Sequence, residues 1–258
     1  SGRLVAADQP VQLLSREEDK AIGIDAMLKK AARMLIVACG TSLNAAMVAK
    51  YFIEELVGIP VDVESAGEFR YRKPAINADT LVVTVSQSGE TADTLAALRM
   101  ARENGARIIA VTNREDSTIA RESDIVLPVR AGVEVSVAAT KSCLAQMVVL
   151  YLLGIMLAEQ RESKAISPEA LAELKTSLFR IPAIIEAVLT QKEGVQEIAK
   201  KYAVHTNAIF IARGINFPVA IEGALKLARR ASGRPAIISF VLAVLATAVI
   251  LARMPRRP

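Results

Sequence analysis

The sequence predicts an α/β protein: a five-stranded parallel sheet flanked by helices, followed by an incomplete second copy of the same unit. Three observations carry this expectation. Short runs rich in β-branched residues alternate with stretches of helical periodicity from Met34 to Glu159. The chain is 52% apolar but only 4% aromatic and has no Trp, so its core is built from Ala, Val, Ile and Leu, as where strands are covered on both faces. A strand, a glycine turn and a helix recur late in the chain, with Gly214 standing where Gly40 stands in the first copy.

Residues 1–30 are polar with a weak helical pattern and read as a lead-in helical segment. Met34–Ala38 is a buried strand, Cys39-Gly40-Thr41-Ser42 a turn, and Ala45, Val48, Ala49, Phe52, Ile53 and Leu56 recur at helical spacing up to about Val57. Pro60 ends that unit, Val61–Ser65 forms a second strand and Ala66–Arg70 a brief helical turn. Thr80–Val85 is the third strand, and a helix from Thr91 to about Asn104 is stopped by Gly105. Arg107–Asn113 and Asp124–Val129 are the fourth and fifth strands, separated by a short helix at Ser117–Glu122, and the apolar run Val137–Glu159 is a long helix. Alternation of this kind gives parallel strands joined by right-handed crossovers, with ligands expected at the carboxyl ends of the strands. Beyond Ser163, Pro168 to about Leu189 and Val195–Lys201 are helical, Ala208–Ala212 is a strand, and a helix follows Arg213-Gly214-Ile215-Asn216 through Leu227.

Charge excludes one broad class of partner. Net charge is +5, but Arg229, Arg230, Arg234, Arg253, Arg256 and Arg257 lie in a tail without acids, so removing those six leaves the body at −1. No basic face with interleaved aromatics exists, and nucleic-acid binding by the folded part is discounted. Cys39 and Cys143 lie far apart with His205 as the only histidine, so neither a disulfide framework nor a metal site is expected. The start Ser1-Gly2-Arg3-Leu4 has no apolar signal-peptide core and no initiator Met, which suits a cytoplasmic protein with a processed or truncated start.

The stretch with the most chemistry is Thr84-Val85-Ser86-Gln87-Ser88-Gly89-Glu90-Thr91. It joins a strand to a helix, where unpaired N–H groups of the first helical turn and the helix dipole favour an anion. The hydroxyls of Ser86, Ser88 and Thr91 add uncharged donors, and Gly89 lets the backbone approach a ligand closely. The bland alternative is that Ser88 serves only as an N-cap. Cys39 reads as a small buried apolar residue rather than a nucleophile, Lys141 as a helix-covering side chain, His205 as structural or exposed, and Glu90 as a carboxylate favouring its own helix amino end.

Cys39-Gly40-Thr41-Ser42, Ser86-Gln87-Ser88-Gly89-Glu90-Thr91, Glu134 with Val137-Ala138-Ala139-Thr140-Lys141, and Glu222-Gly223-Ala224-Leu225-Lys226-Leu227 occur in the order found in one family. Over roughly residues 30–227 the chain resembles the sugar isomerase (SIS) portion of the glutamine–fructose-6-phosphate aminotransferases. The resemblance implies a SIS fold with flavodoxin-like layering and no cofactor or metal. It implies a phosphosugar site in which Thr41, Ser42, Ser86, Gln87, Ser88 and Thr91 hold phosphate and nearby hydroxyls and the Val137 backbone contacts the sugar. The small-molecule partner would be fructose 6-phosphate or glucosamine 6-phosphate, and the chain would form a homodimer. Lys226 is carried over as a catalytic position.

Departures from the family temper the activity expected. The isomerisation moves a proton between adjacent carbons and needs a positioned carboxylate base; the family's Glu, three residues after the lysine matching Lys226, is Arg229 here. The family's ring-opening His and carboxy-terminal Lys loop have no counterparts past Ala228, and no glutaminase segment precedes residue 30. Weak or absent isomerase activity is therefore expected, with a non-catalytic sugar-phosphate sensor as the alternative. The domain reading is a lead-in segment at 1–30, a first SIS domain at 31–162, a partial second at 163–227 and a divergent tail at 228–258. Within that tail Ala236–Ala252 carries no charge; a helix of that length would reach roughly 26 Å, at the short edge of a membrane span. A membrane anchor, a buried core element and a frameshift product remain open for it.

Overall fold

The computed structural model describes residues 14–15, 28–134, 139–205 and 207–229. The apolar tail stretch 236–252 and most of the expected lead-in helix lie outside the described residues. The chain divides into two compact units, one of residues 1–134 and 141–167, the other of residues 135–140 and 168–258.

In the first unit the order is β1 (Leu14–Ser15), β2 (Arg33–Ala38), α1 (Gly40–Val57), β3 (Val61–Ser65), α2 (Ala66–Phe69), β4 (Thr80–Ser86), α3 (Ala92–Glu103), β5 (Arg107–Thr112), α4 (Thr118–Arg121), β6 (Ile125–Pro128) and α5 (Lys141–Gln160). The strands lie in the order β1-β6-β5-β4-β2-β3. The five strands β2 to β6 pair in parallel, as the alternating pattern predicts. The two-residue β1, too short to leave a periodic signal, adds an antiparallel edge on β6.

Every residue of β4 is buried, and its neighbours β2 and β5 are buried beyond their first residue, which is why these strands read as continuous apolar runs. On one face Leu35, Val37, Val82, Ile108, Ala110 and Val126 pack with Phe69 of α2, Ala97, Leu98 and Ala101 of α3, and Ile119 of α4. Elsewhere in the unit α1 lies against α5, where the Phe52 and Tyr151 rings meet at 4.3 Å. Helix α5 is long and apolar enough to cross a membrane, yet two thirds of it is buried in the protein, which makes it a core helix. Its first turn begins later than the sequence suggests, at Lys141.

In the second unit the expected helix Pro168–Leu189 is two, α6 (Pro168–Leu178) and α7 (Ile181–Leu189). Pro182 sits in the first turn of α7, where its missing N–H is harmless; within a continuous helix its ring would strike the carbonyl of Leu178. Then come α8 (Lys192–Tyr202), a 3-10 turn at Gly214–Asn216 and α9 (Phe217–Arg229). The strand expected at Ala208–Ala212 does not form: the segment is irregular, with Ile209 87% and Ile211 90% exposed. A strand exists only as part of a sheet, and this segment is not among the strands of the sheet formed by the described residues.

Candidate functional site

Strands β2 and β4 are neighbours in register, Ala38 beside Val85, and the sheet order reverses direction between them: β3 lies beyond β2 and β5 beyond β4. This is the switch point at which parallel sheets form a crevice at their carboxyl ends. Six of the sequence-predicted residues converge there. After β2, Gly40 at φ 56° turns the chain into α1 and places Thr41, buried, and Ser42, half-buried, in its first turn. After β4, the loop from Ser86 to Thr91 leads into α3, with Ser86 only 2% exposed, Gln87 and Thr91 half-buried and Ser88 exposed.

The loop is closed by its own side chains. Gly89 N–H donates to Ser86 Oγ at 3.0 Å, and Ser86 Oγ lies 3.0 Å from Thr91 Oγ1. A single bond between two hydroxyls uses one of their two hydrogens, so the other is not consumed by this bond. Glu90 N–H donates to Ser88 Oγ at 3.2 Å. Ser88 is therefore not the N-cap of α3. That position belongs to Thr91, and neither Thr91 nor Cys39, the N-cap of α1, makes a side-chain capping bond. The short helix α4, by contrast, is capped by Ser117, whose Oγ accepts from Ala120 N–H at 3.3 Å. Two helix amino ends not closed by their cap side chains thus stand side by side at the switch point, with uncharged hydroxyls between them, and such an arrangement suits a phosphate.

Two residues of this loop do different work from that expected. Gly89, buried at φ 66°, lacks a side chain for a neighbour within the protein: an added Cβ would lie 2.0 Å from Ser117 Oγ and 2.9 Å from Thr112 Oγ1. Glu90 does not serve the start of α3. Its carboxylate accepts from Thr118 N–H at 2.7 Å, at the head of α4, and that bond holds its pKa below the ordinary carboxylate value. Neither Ser117 nor Thr118 was singled out from the sequence as a contact of this loop, since nothing local links them to it.

Asp93, in the first turn of α3, would oppose an anion but is paired with Arg70 at 2.7 Å. Cys39, expected to be buried, is half-buried; it packs against the core cluster, with Thr94 Oγ1 3.9 Å from its sulfur. A separate crevice of about 470 Å³ opens at the amino ends of β4 and β5, among Lys30, Asp79, Arg102, Arg107 and Asp124. There Asp124 accepts the Ile108 N–H at 2.7 Å and faces both arginines, so its charges are largely spent on one another.

Lys226 belongs to the second unit. On α9 it lies one turn after Glu222, Nζ to Oε1 at 2.7 Å, and its Nζ also donates to Ala139 O; the two residues are 4% and 5% exposed. A buried, hydrogen-bonded ion pair of this kind holds a lysine in one orientation. Arg229 ends the helix. Val137 lies outside the described residues. His205 is exposed, with its ring 5.9 Å from that of Tyr202. Among the described residues no group of three or more His, Cys, Asp or Glu side chains is placed to hold a metal ion.

Comparison with known proteins gives a consistent picture. A family profile described as SIS domain matches residues 27–156. Glutamine–fructose-6-phosphate aminotransferase (isomerizing) from Clostridium acetobutylicum is 43% identical over 225 residues, 86% of this chain and 36% of that protein. The enzyme of the same name from Gloeobacter violaceus is 48% identical over 196 residues, 76% of this chain and 32% of that protein. The chain thus spans about a third of the length of the curated relatives it matches. Among solved structures, the C-terminal domain of glucosamine-fructose-6-phosphate aminotransferase from Francisella tularensis superposes with a TM-score of 0.76 at 37% identity, over 79% of this chain and 57% of that one. Glucosamine-6-phosphate deaminase from Thermotoga maritima does so with a TM-score of 0.60 at 26% identity, over 81% of this chain and 60% of that one.

Proposed function

The chain belongs to the SIS domain family, and from that premise we propose that its first unit binds the phosphate of fructose 6-phosphate or glucosamine 6-phosphate between the starts of α1 and α3. The observation that carries this reading is the pair of neighbouring helix amino ends at the switch point, joined by Thr41, Ser42, Ser86, Gln87, Ser88 and Thr91. A phosphate ester held by neutral donors there needs no arginine clamp. Sugar contacts by the Val137 backbone and a homodimeric state are part of the same reading, by resemblance, as is a cytoplasmic location.

Isomerase chemistry is weak or absent in this proposal. Lys226 is retained in a buried pair with Glu222, but Arg229 stands where the family carries its carboxylate base, and an arginine does not deprotonate under working conditions. That one substitution favours the second reading, a module that senses a sugar phosphate without converting it.

Thermal denaturation of the full chain in millimolar fructose 6-phosphate tests binding. An upward shift in Tm that exceeds the shift given by inorganic phosphate, and that is abolished in the Ser86→Ala/Ser88→Ala double variant, is the expected result. Equal or absent shifts with the two ligands reject sugar binding. Production of glucosamine 6-phosphate from fructose 6-phosphate and ammonia by the purified chain would reject the sensor reading.

A further inference from the structure

The first three N–H groups of α4 are all accounted for, and two of them are satisfied by the Ser86–Thr91 loop. Thr118 N–H donates to Glu90 Oε1 at 2.7 Å, Ile119 N–H to Gly89 O at 3.0 Å, and Ala120 N–H to the capping Ser117 Oγ at 3.3 Å. The same Ser117 side chain occupies the space where a Cβ on Gly89 would be. Ser117 is itself held by donating to Arg114 O at 2.7 Å, and Arg114 N–H donates to Thr112 Oγ1 at 3.2 Å. The loop after β4 is thus seated on the loop after β5 by a steric stop and two hydrogen bonds. One of these bonds is charge-assisted, and such bonds are roughly twice as strong as neutral ones.

We infer that Glu90 is a positioning residue for the phosphate site, acting through the head of α4 and never touching the ligand. Its carboxylate would repel a phosphate if it turned inward; bound to Thr118 N–H, it faces the neighbouring helix instead, where the helix dipole and the nearby Arg114 and Arg121 favour its charge. By holding residue 90 there, the bond fixes the direction in which Ser88 and the first turn of α3 point. The inference rests on the phosphate-site reading above and adds the residue on which that site's geometry depends.

Titrations of the full chain with inorganic phosphate and with fructose 6-phosphate provide the test. Glu90→Ala removes the acceptor and Thr118→Pro removes the donor. Proline fits at 118 because that residue opens the helix and the preceding Ser117, at φ −75° and ψ 163°, already has the extended backbone a proline demands. Each variant is expected to weaken both ligands by the same factor, about five- to tenfold, and the double variant by no more than either alone, since the same Glu90–Thr118 contact is lost in all three. Glu90→Gln, which keeps an acceptor oxygen, is expected to recover most of the affinity, and Thr118→Ser, which keeps both the N–H and the hydroxyl, to bind like the wild type. Wild-type affinity in Glu90→Ala, or additive losses in the double variant, overturns the inference while leaving the site reading intact. A wild-type chain that binds neither ligand overturns the site reading and this inference with it.

Discussion

Gly89 and Ser117 pack so closely that no side chain fits between them: a Cβ on residue 89 would stand 2.0 Å from Ser117 Oγ and 2.3 Å from Ser117 Cβ. Because φ at Gly89 is also 66°, any other residue there pays both a steric and a conformational cost. Gly89→Ala is expected to lower stability by about 2–4 kcal/mol in chemical denaturation and to abolish the ligand-induced Tm shift. Pairing it with Ser117→Gly should recover part of the loss. A double variant as damaged as the single would mean that backbone strain, the Thr112 contact and the lost Ser117 cap outweigh relief of the Ser117 clash.

Ser86 closes the loop from within and is nearly fully buried. Ser86→Ala leaves the Gly89 N–H without its acceptor, at a cost of about 1–3 kcal/mol, whereas Thr91→Ala removes only the partner of a hydroxyl pair, at about 1 kcal/mol. Urea denaturation of the two variants should therefore rank Ser86→Ala as the more damaging. Thr91→Ser should behave like the wild type.

The Glu90 carboxylate titrates below its ordinary value because of its bond to Thr118 N–H. A folded-state pKa below the unfolded one contributes stability that is present above about pH 4.3 and is lost as pH falls through the lower folded value. The Asp116 carboxylate is also held below its ordinary value, by Arg114, so the quantity to measure is the stability difference between wild type and Glu90→Gln. That difference is expected to be present at neutral pH and to close in acid. A difference that widens on acidification would contradict the assignment.

Gly154 of α5 packs tightly against α1, with an added Cβ falling 3.0 Å from Ile53 Cγ1 and 3.1 Å from Phe52 Cε1. Gly154→Leu should overpack this contact and cost roughly 2 kcal/mol or more. It should leave the ratio of fructose 6-phosphate to inorganic phosphate affinity unchanged, because Phe52 and Ile53 lie about three turns along α1 from Thr41 and Ser42. Gly154→Ala sets about 1 kcal/mol of helix propensity against a smaller clash and should fall between the two.

Much of this protein is written locally in its chain. The five parallel strands, the helices between them, and the placing of Thr41, Ser42 and Ser86–Thr91 at strand-to-helix corners follow from periodicity and glycine position, which act over a few residues. Tertiary structure alone decided that β2 and β4 lie side by side, that Glu90 reaches the head of α4 rather than its own helix, and that Gly89 is required by Ser117. The same holds for Ala208–Ala212, whose apolar, β-branched composition was read as a strand and which stays irregular. The physical reason is common to these cases. A helix satisfies its own backbone and a turn its own dihedrals, but a strand pairing, a cross-loop hydrogen bond or a side-chain clash depends on a second segment whose position no local pattern records.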